Sequence, residues 1–125
     1  MKYIERVKRV YCIDGVILFG SRARGDYAPW SDVDILIIGD FGEPYLERLR
    51  KLLEMTENIS EPVEPHPYRL DEALKMLEAG NAMLVDALEE GVIIFEGDGI
   101  NLLKKKYSEM KRKGKLRRFD HTISI

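Results

Sequence analysis

Two aspartates, Asp32 and Asp34, stand one residue apart at the mouth of the apolar run "ILII", and Gly20-Ser21 follows the earlier apolar run "VILF". Side chains alternate along a strand, so Asp32 and Asp34 project from one face and Val33 from the other. Two carboxylates held side by side repel and raise each other's proton affinity. A hard divalent cation offsets that repulsion, because Mg²⁺ takes carboxylate oxygens and keeps positions for phosphate. A pair of such ions clamps the attacking and leaving oxygens of phosphoryl transfer. Taken alone, Asp-x-Asp is better read as a solvated loop ahead of a strand.

The Gly-Ser turn adds the second half of a phosphate chemistry. Gly20 lets backbone approach a ligand closely, and Ser21 opens a helical turn whose leading N–H groups have no intrahelical acceptor. Such donors, with the helix dipole and the Ser21 hydroxyl, suit a phosphate. Arg22 and Arg24 follow within one turn; each can contact phosphate, or pair on the surface with Asp26 or Glu5. Phosphate donors and metal ligands in neighbouring elements are what transfer of a nucleotide needs.

"GSRARG", ten residues between Ser21 and Asp32, and then "SDVDILI" together resemble the signature of the minimal nucleotidyltransferases in the DNA polymerase β-like superfamily. The resemblance covers roughly Tyr3 to Glu96. It implies an α/β (α+β) nucleotidyltransferase fold, a small mixed β-sheet flanked by α-helices. It also implies that Gly20 and Ser21 hold a nucleoside triphosphate, ATP or another, and that Asp32 and Asp34 bind two Mg²⁺ ions. A third carboxylate normally sits on the following strand. Here that position falls in "EPVEPHPY", with Glu64 as the expected catalytic and metal-binding residue and Glu61 as the reserve.

The resemblance further implies a Mg²⁺-dependent enzyme that moves a nucleoside monophosphate, AMP from ATP, to a hydroxyl acceptor and releases pyrophosphate. Small relatives act beside a helical HEPN-type partner protein, and several resemble antitoxins that adenylylate a tyrosine of that partner. The alternative is a binding module that neutralises a partner by contact, its nucleotide site vestigial; the Glu in place of the usual Asp favours that alternative. Homo-oligomerisation remains open, and a nucleic acid partner ranks below a protein one.

The elements that must position these residues alternate along the chain. Ile4, Val7 and Tyr11 recur at helical spacing, so "KYIERVKRVY" reads as an amphipathic helix ended by an Asp14-Gly15 turn. "VILF" reads as a buried strand, "SRARG" as one short helical turn, "DYAPWS" as an irregular loop and "DVDILIIG" as the second strand. Leu46, Leu49 and Leu53, beside Tyr45 and Leu52, mark a helix after Pro44. The prolines of "EPVEPHPY" confine it to an edge strand or an extended segment. "LDEALKMLEAG" is a helix with Asp71 as cap and Gly80 as stop, "NAMLVDALEEG" another capped by Asn81, "VIIFEG" a short strand and "INLLKKKYSEMKRK" a final helix.

At 125 residues the chain divides into an expected catalytic domain, 1–98, and a basic C-terminal helix and tail, 99–125. Between Lys104 and Arg118, nine basic residues face one acidic one, either a solvated surface or a contact for an anionic partner. The apolar runs are too short to cross a bilayer, and the charges through "MKYIERVKRV" do not read as a secretory signal. A lone Cys12 fits a reducing cytoplasm, and a buried, inert thiol is expected. Tyr27 and Trp30 either line a base pocket or, the reading preferred, plug their loop onto the core. His66 and His121 lack partners at metal-ligand spacing and read as ordinary.

Overall fold

Residues 1–114 are described by the computed structural model. The end of the basic tail and His121 lie outside the described residues. The chain runs α1 (Lys2–Lys8), β1 (Ile13–Phe19), α2 (Ser21–Arg24), β2 (Val33–Gly39), α3 (Tyr45–Glu54), β3 (Val63–Tyr68), α4 (Leu70–Glu78), α5 (Ala82–Glu90), β4 (Val92–Glu96) and α6 (Asp98–Arg112). The four strands form one sheet in the order β3-β2-β1-β4. β1 is antiparallel to both β2 and β4, while β2 and β3 are parallel, with α3 as their crossover. This is the mixed sheet with flanking helices that the resemblance implied.

Strand parity decides which residues face which helices. Leu36 and Ile38 join Ile17 and Phe19 under Leu77 of α4, Leu84 of α5 and Leu103 of α6. Ile35 and Ile37 join Val16 on the opposite face, under Val7 of α1 and Leu52 of α3. Both faces are covered, which is why β2 reads as an unbroken apolar run rather than an alternating one.

The prolines of β3 have a positional logic. β3 pairs with β2 from Val63 to Tyr68, so Pro65 and Pro67, which donate nothing, occupy the positions whose backbone faces away from β2. The Pro67 carbonyl on that outer side accepts from Arg48 Nη1 at 3.4 Å. The edge therefore carries few free donors and is closed to strand addition.

Four local expectations are corrected. Gly15 lies inside β1, not in a turn; a Cβ there would sit 2.0 Å from Cγ1 of Ile100, so the glycine makes room for α6. α4 starts at Leu70 with Arg69 as its cap residue. Asp71 instead pairs with Arg69 at 3.1 Å, and Glu72 Oε1 accepts the Arg69 N–H at 2.8 Å. The α3 helix is present, but Leu46 and Leu53 face outward and Arg48 is buried in their stead. Its guanidinium reaches the Glu43 carbonyl at 2.8 Å and Glu72 Oε1 at 2.7 Å, partners that a helical periodicity cannot see. Cys12 is exposed rather than buried, because it lies in the connection between α1 and β1. Among the described residues, no helix is long and apolar enough to cross a membrane.

Candidate active site

Phe19, the last residue of β1, pairs with Asp34, so the turn leaving β1 lies over the start of β2. Gly20 makes that turn at φ 77°, ψ −160°, a region that side-chain-bearing residues avoid. Its carbonyl accepts from the N–H groups of Ala23 and Arg24, which closes the single turn of α2. Gly25, at φ 83°, ends it. A Cβ on Gly20 would meet Asp34 Oδ2 at 2.7 Å. The Gly-Ser turn and the Asp34 carboxylate are thus in direct contact.

The loop from α2 to β2 is held by Arg22. Its Nη2 and Nε donate to the Ser31 carbonyl at 2.9 and 3.3 Å, and its guanidinium lies 4.5 Å over the Tyr27 ring. Ser31 Oγ accepts the Ala28 N–H at 3.0 Å. This bracing delivers Asp32 to the mouth of β2. Arg24 pairs with Asp26 at 3.2 Å on the surface. Trp30 is 81% exposed, so it does not plug the loop onto the core, and the preference for that reading is corrected.

The parallel pairing of β2 with β3 sets Asp34 level with Glu64 and Leu36 level with His66. Glu64 and His66, two apart on β3, share the Asp34 face. His66 Nε2 lies 3.2 Å from Asp34 Oδ1, and its ring packs against Phe19 with centroids 5.1 Å apart. One ligand atom from each of Asp34, Glu64 and His66 lies within 4.8 Å of the others. Glu61, exposed as Glu64 is, falls outside that group, and its carboxylate accepts from Ser60 Oγ at 2.7 Å.

The electrostatics report the crowding. The Glu64 carboxyl is pushed above the ordinary carboxylate range, first by a hydrogen bond shared with Asp32, then by burial and by the Asp34 charge; His66 works in the opposite direction. The structure therefore brings Gly20, Asp32, Asp34 and Glu64 to one place, with Ser21 beginning the adjoining turn. His66 is the member that sequence reasoning missed. Its signal was the Glu-x-His alternation on a strand, which puts both side chains on one face. A cavity of about 470 Å³ lined by Tyr45, Tyr68, Glu72, Lys75 and Met76 opens farther along β3, at its Tyr68 end.

Comparisons with known proteins accord with this arrangement. The sequence model of the family described as "Nucleotidyltransferase domain" matches residues 1–112. Among curated relatives, "Putative protein adenylyltransferase MJ0604" of Methanocaldococcus jannaschii is 51% identical over 45 residues, 36% of this chain and 39% of that protein. "Putative protein adenylyltransferase MJ0126" of the same organism is 36% identical over 63 residues, 50% of this chain and 60% of that protein. The chain thus spans between about two fifths and three fifths of those relatives' lengths. Among solved structures, a toxin-antitoxin crystal structure with AMP-PNP superposes with a TM-score of 0.62 at 17% identity, covering 90% of this chain and 86% of that one. A mutant of the toxin-antitoxin MntA-HpeT superposes at 0.60 with 13% identity, covering 90% and 86%. At such identities the likeness is one of fold. The family match over nearly the whole described chain, together with the Gly-Ser turn seated on the Asp34 carboxylate, places this protein in the nucleotidyltransferase domain family.

Proposed function

We propose that this chain transfers a nucleoside monophosphate, AMP from ATP, to a hydroxyl of a partner protein. The observation that carries the reading is the contact between Gly20 and the Asp34 carboxylate, which stands with Asp32 beside Glu64. In this reading Gly20 and Ser21 receive the triphosphate through backbone N–H groups and the Ser21 hydroxyl. Arg22 keeps the loop in place and adds positive charge beside the phosphates, to which Arg24 contributes on release from Asp26.

The donor set suits divalent cations. Asp32, Asp34 and Glu64 crowd enough that Glu64 holds its proton more tightly than usual, and carboxylate oxygens are what Mg²⁺ takes. When bound, two such ions would neutralise phosphate charge and polarise the reacting oxygens. The acceptor hydroxyl forms a bond to the α-phosphorus, the bond from that phosphorus to the bridging oxygen breaks, and pyrophosphate leaves. Glu64, level with Asp34 on the neighbouring strand, orients the hydroxyl in this reading and takes its proton on a carboxylate oxygen.

The acceptor in this proposal is a tyrosine of a small helical HEPN-type partner, with this chain in the antitoxin role. Support comes from relatives named as adenylyltransferases and from the toxin-antitoxin complexes that share the fold. Incubating the co-purifying partner with labelled ATP and Mg²⁺ tests it. Label should reach the partner with wild type and fail with Asp32→Asn or Asp34→Asn; equal labelling with all three would overturn the proposal. Neutralisation of the partner without any labelling would establish the contact-only alternative.

A further inference from the structure

We infer that His66 is a metal-ligating residue, giving this site an imidazole nitrogen and a preference for a first-row transition cation such as Mn²⁺ over Mg²⁺. The inference rests on the proposed metal role of Asp34 and Glu64 and adds to it a ligand and a cation class. Three observations carry it. Asp34 Oδ1 and His66 Nε2 lie 3.2 Å apart; two atoms each about 2.1 Å from one cation and at right angles are about 3 Å apart, so little movement is needed. Glu64 stands on the same strand face, and one ligand atom from each of the three residues lies within 4.8 Å of the others. Phe19 backs the His66 ring, which fixes its plane and leaves the Nε2 edge directed at Asp34.

The chemistry separates the cations. Mg²⁺ demands oxygen ligands and sheds water reluctantly, so an imidazole gains it little. Transition cations accept imidazole nitrogen more readily than Mg²⁺ does, Mn²⁺ the most weakly of the series and Zn²⁺ or Ni²⁺ more tightly. A site of two carboxylates and one imidazole therefore binds Mn²⁺ without nucleotide present, where an all-carboxylate site waits for phosphate oxygens.

The test uses the untagged 125-residue chain, stripped of metal, with Mn²⁺ alone as the probe. Electron spin-echo spectroscopy should show modulation from a directly bound imidazole nitrogen, retained in His121→Ala and lost in His66→Ala. By calorimetry, His66→Ala should lower Mn²⁺ affinity about tenfold or more while changing Mg²⁺ affinity by less than about threefold. Absence of nitrogen modulation in the wild-type spectrum would overturn the inference, leaving His66 as a hydrogen-bond partner of Asp34. That spectrum needs no variant, so a folding defect in His66→Ala cannot obscure the answer. Failure here is distinguishable from failure of the proposed transfer, which is read with Mg²⁺ and ATP in the Asp32 and Asp34 variants.

Discussion

The α-carbon of Gly20 and the carboxylate of Asp34 are so close that a single added methyl group would lie 2.7 Å from Oδ2. No intervening side chain separates the two. A ligand that uses the backbone of the turn therefore also meets the carboxylate, and glycine is required twice, by the φ of 77° and by the contact.

Replacing Gly20 with Ala should cost on the order of 1–3 kcal/mol of stability, the strain of a side chain in a glycine-only region. Asp34 must also shift. ATP affinity in the presence of Mg²⁺ should fall by about tenfold or more, whereas Ser21→Ala, which removes one donor, should cost less. Thermal denaturation and calorimetric titration measure the two effects separately. Wild-type ATP affinity in Gly20→Ala would remove the nucleotide from this turn.

Glu64→Gln should abolish transfer to the partner while keeping most triphosphate binding, since the turn and both aspartates remain. Without metal it should also stabilise the chain at neutral pH. The reason is a sign: a carboxyl whose folded-state proton affinity is raised leaves the folded state disfavoured once the pH exceeds the unfolded value, and the penalty vanishes below it. The gain should therefore disappear in acid, below the ordinary carboxylate range. Partner labelling and calorimetric titration with ATP check the first part, and melting curves across pH, with and without divalent cation, check the second.

Arg48 is buried and held by Glu72 Oε1 at 2.7 Å and by the Glu43 carbonyl at 2.8 Å. Arg48→Met should cost about 3 kcal/mol by leaving a partly buried carboxylate and carbonyls without their donor, and adding Glu72→Met should return part of it. Glu72 is held below its ordinary range, chiefly by its hydrogen bond to Arg48. The stability it contributes is present above the unfolded value and lost as pH falls through the folded one. The gap between wild type and Arg48→Met should narrow in acid, which urea denaturation at two pH values would show.

Gly15→Ala drives a methyl into Ile100, whose Cγ1 would be 2.0 Å away. Overpacking of this kind costs about 1–3 kcal/mol. The double variant Gly15→Ala with Ile100→Ala should be more stable than the sum of the single losses predicts, because the second change removes the obstructing atoms. Strict additivity in denaturant unfolding would mean that α6 does not seat against β1 as described.

The sequence by itself determined the alternation of elements, the exclusion of the proline-rich segment from the sheet interior and the pairing of Asp32 with Asp34 at a strand mouth. These are local matters: period-two and helical spacing, and the geometry that glycine and proline impose on their own bonds. It also carried the Gly-Ser signature through which the family could be recognised. Only the tertiary structure decided what lies across from what. The parallel register of β2 with β3 set Glu64 and His66 beside Asp34, and no window along the chain contains Asp34 and His66, 32 residues apart, as neighbours. Likewise Arg48 became interior because Glu43, Pro67 and Glu72 converge on it from separate elements, and Gly15 became a packing position because Ile100 arrives from α6. A side chain's surroundings are fixed by the elements that pack against it, and those contacts form only when the sheet closes and the helices cover it.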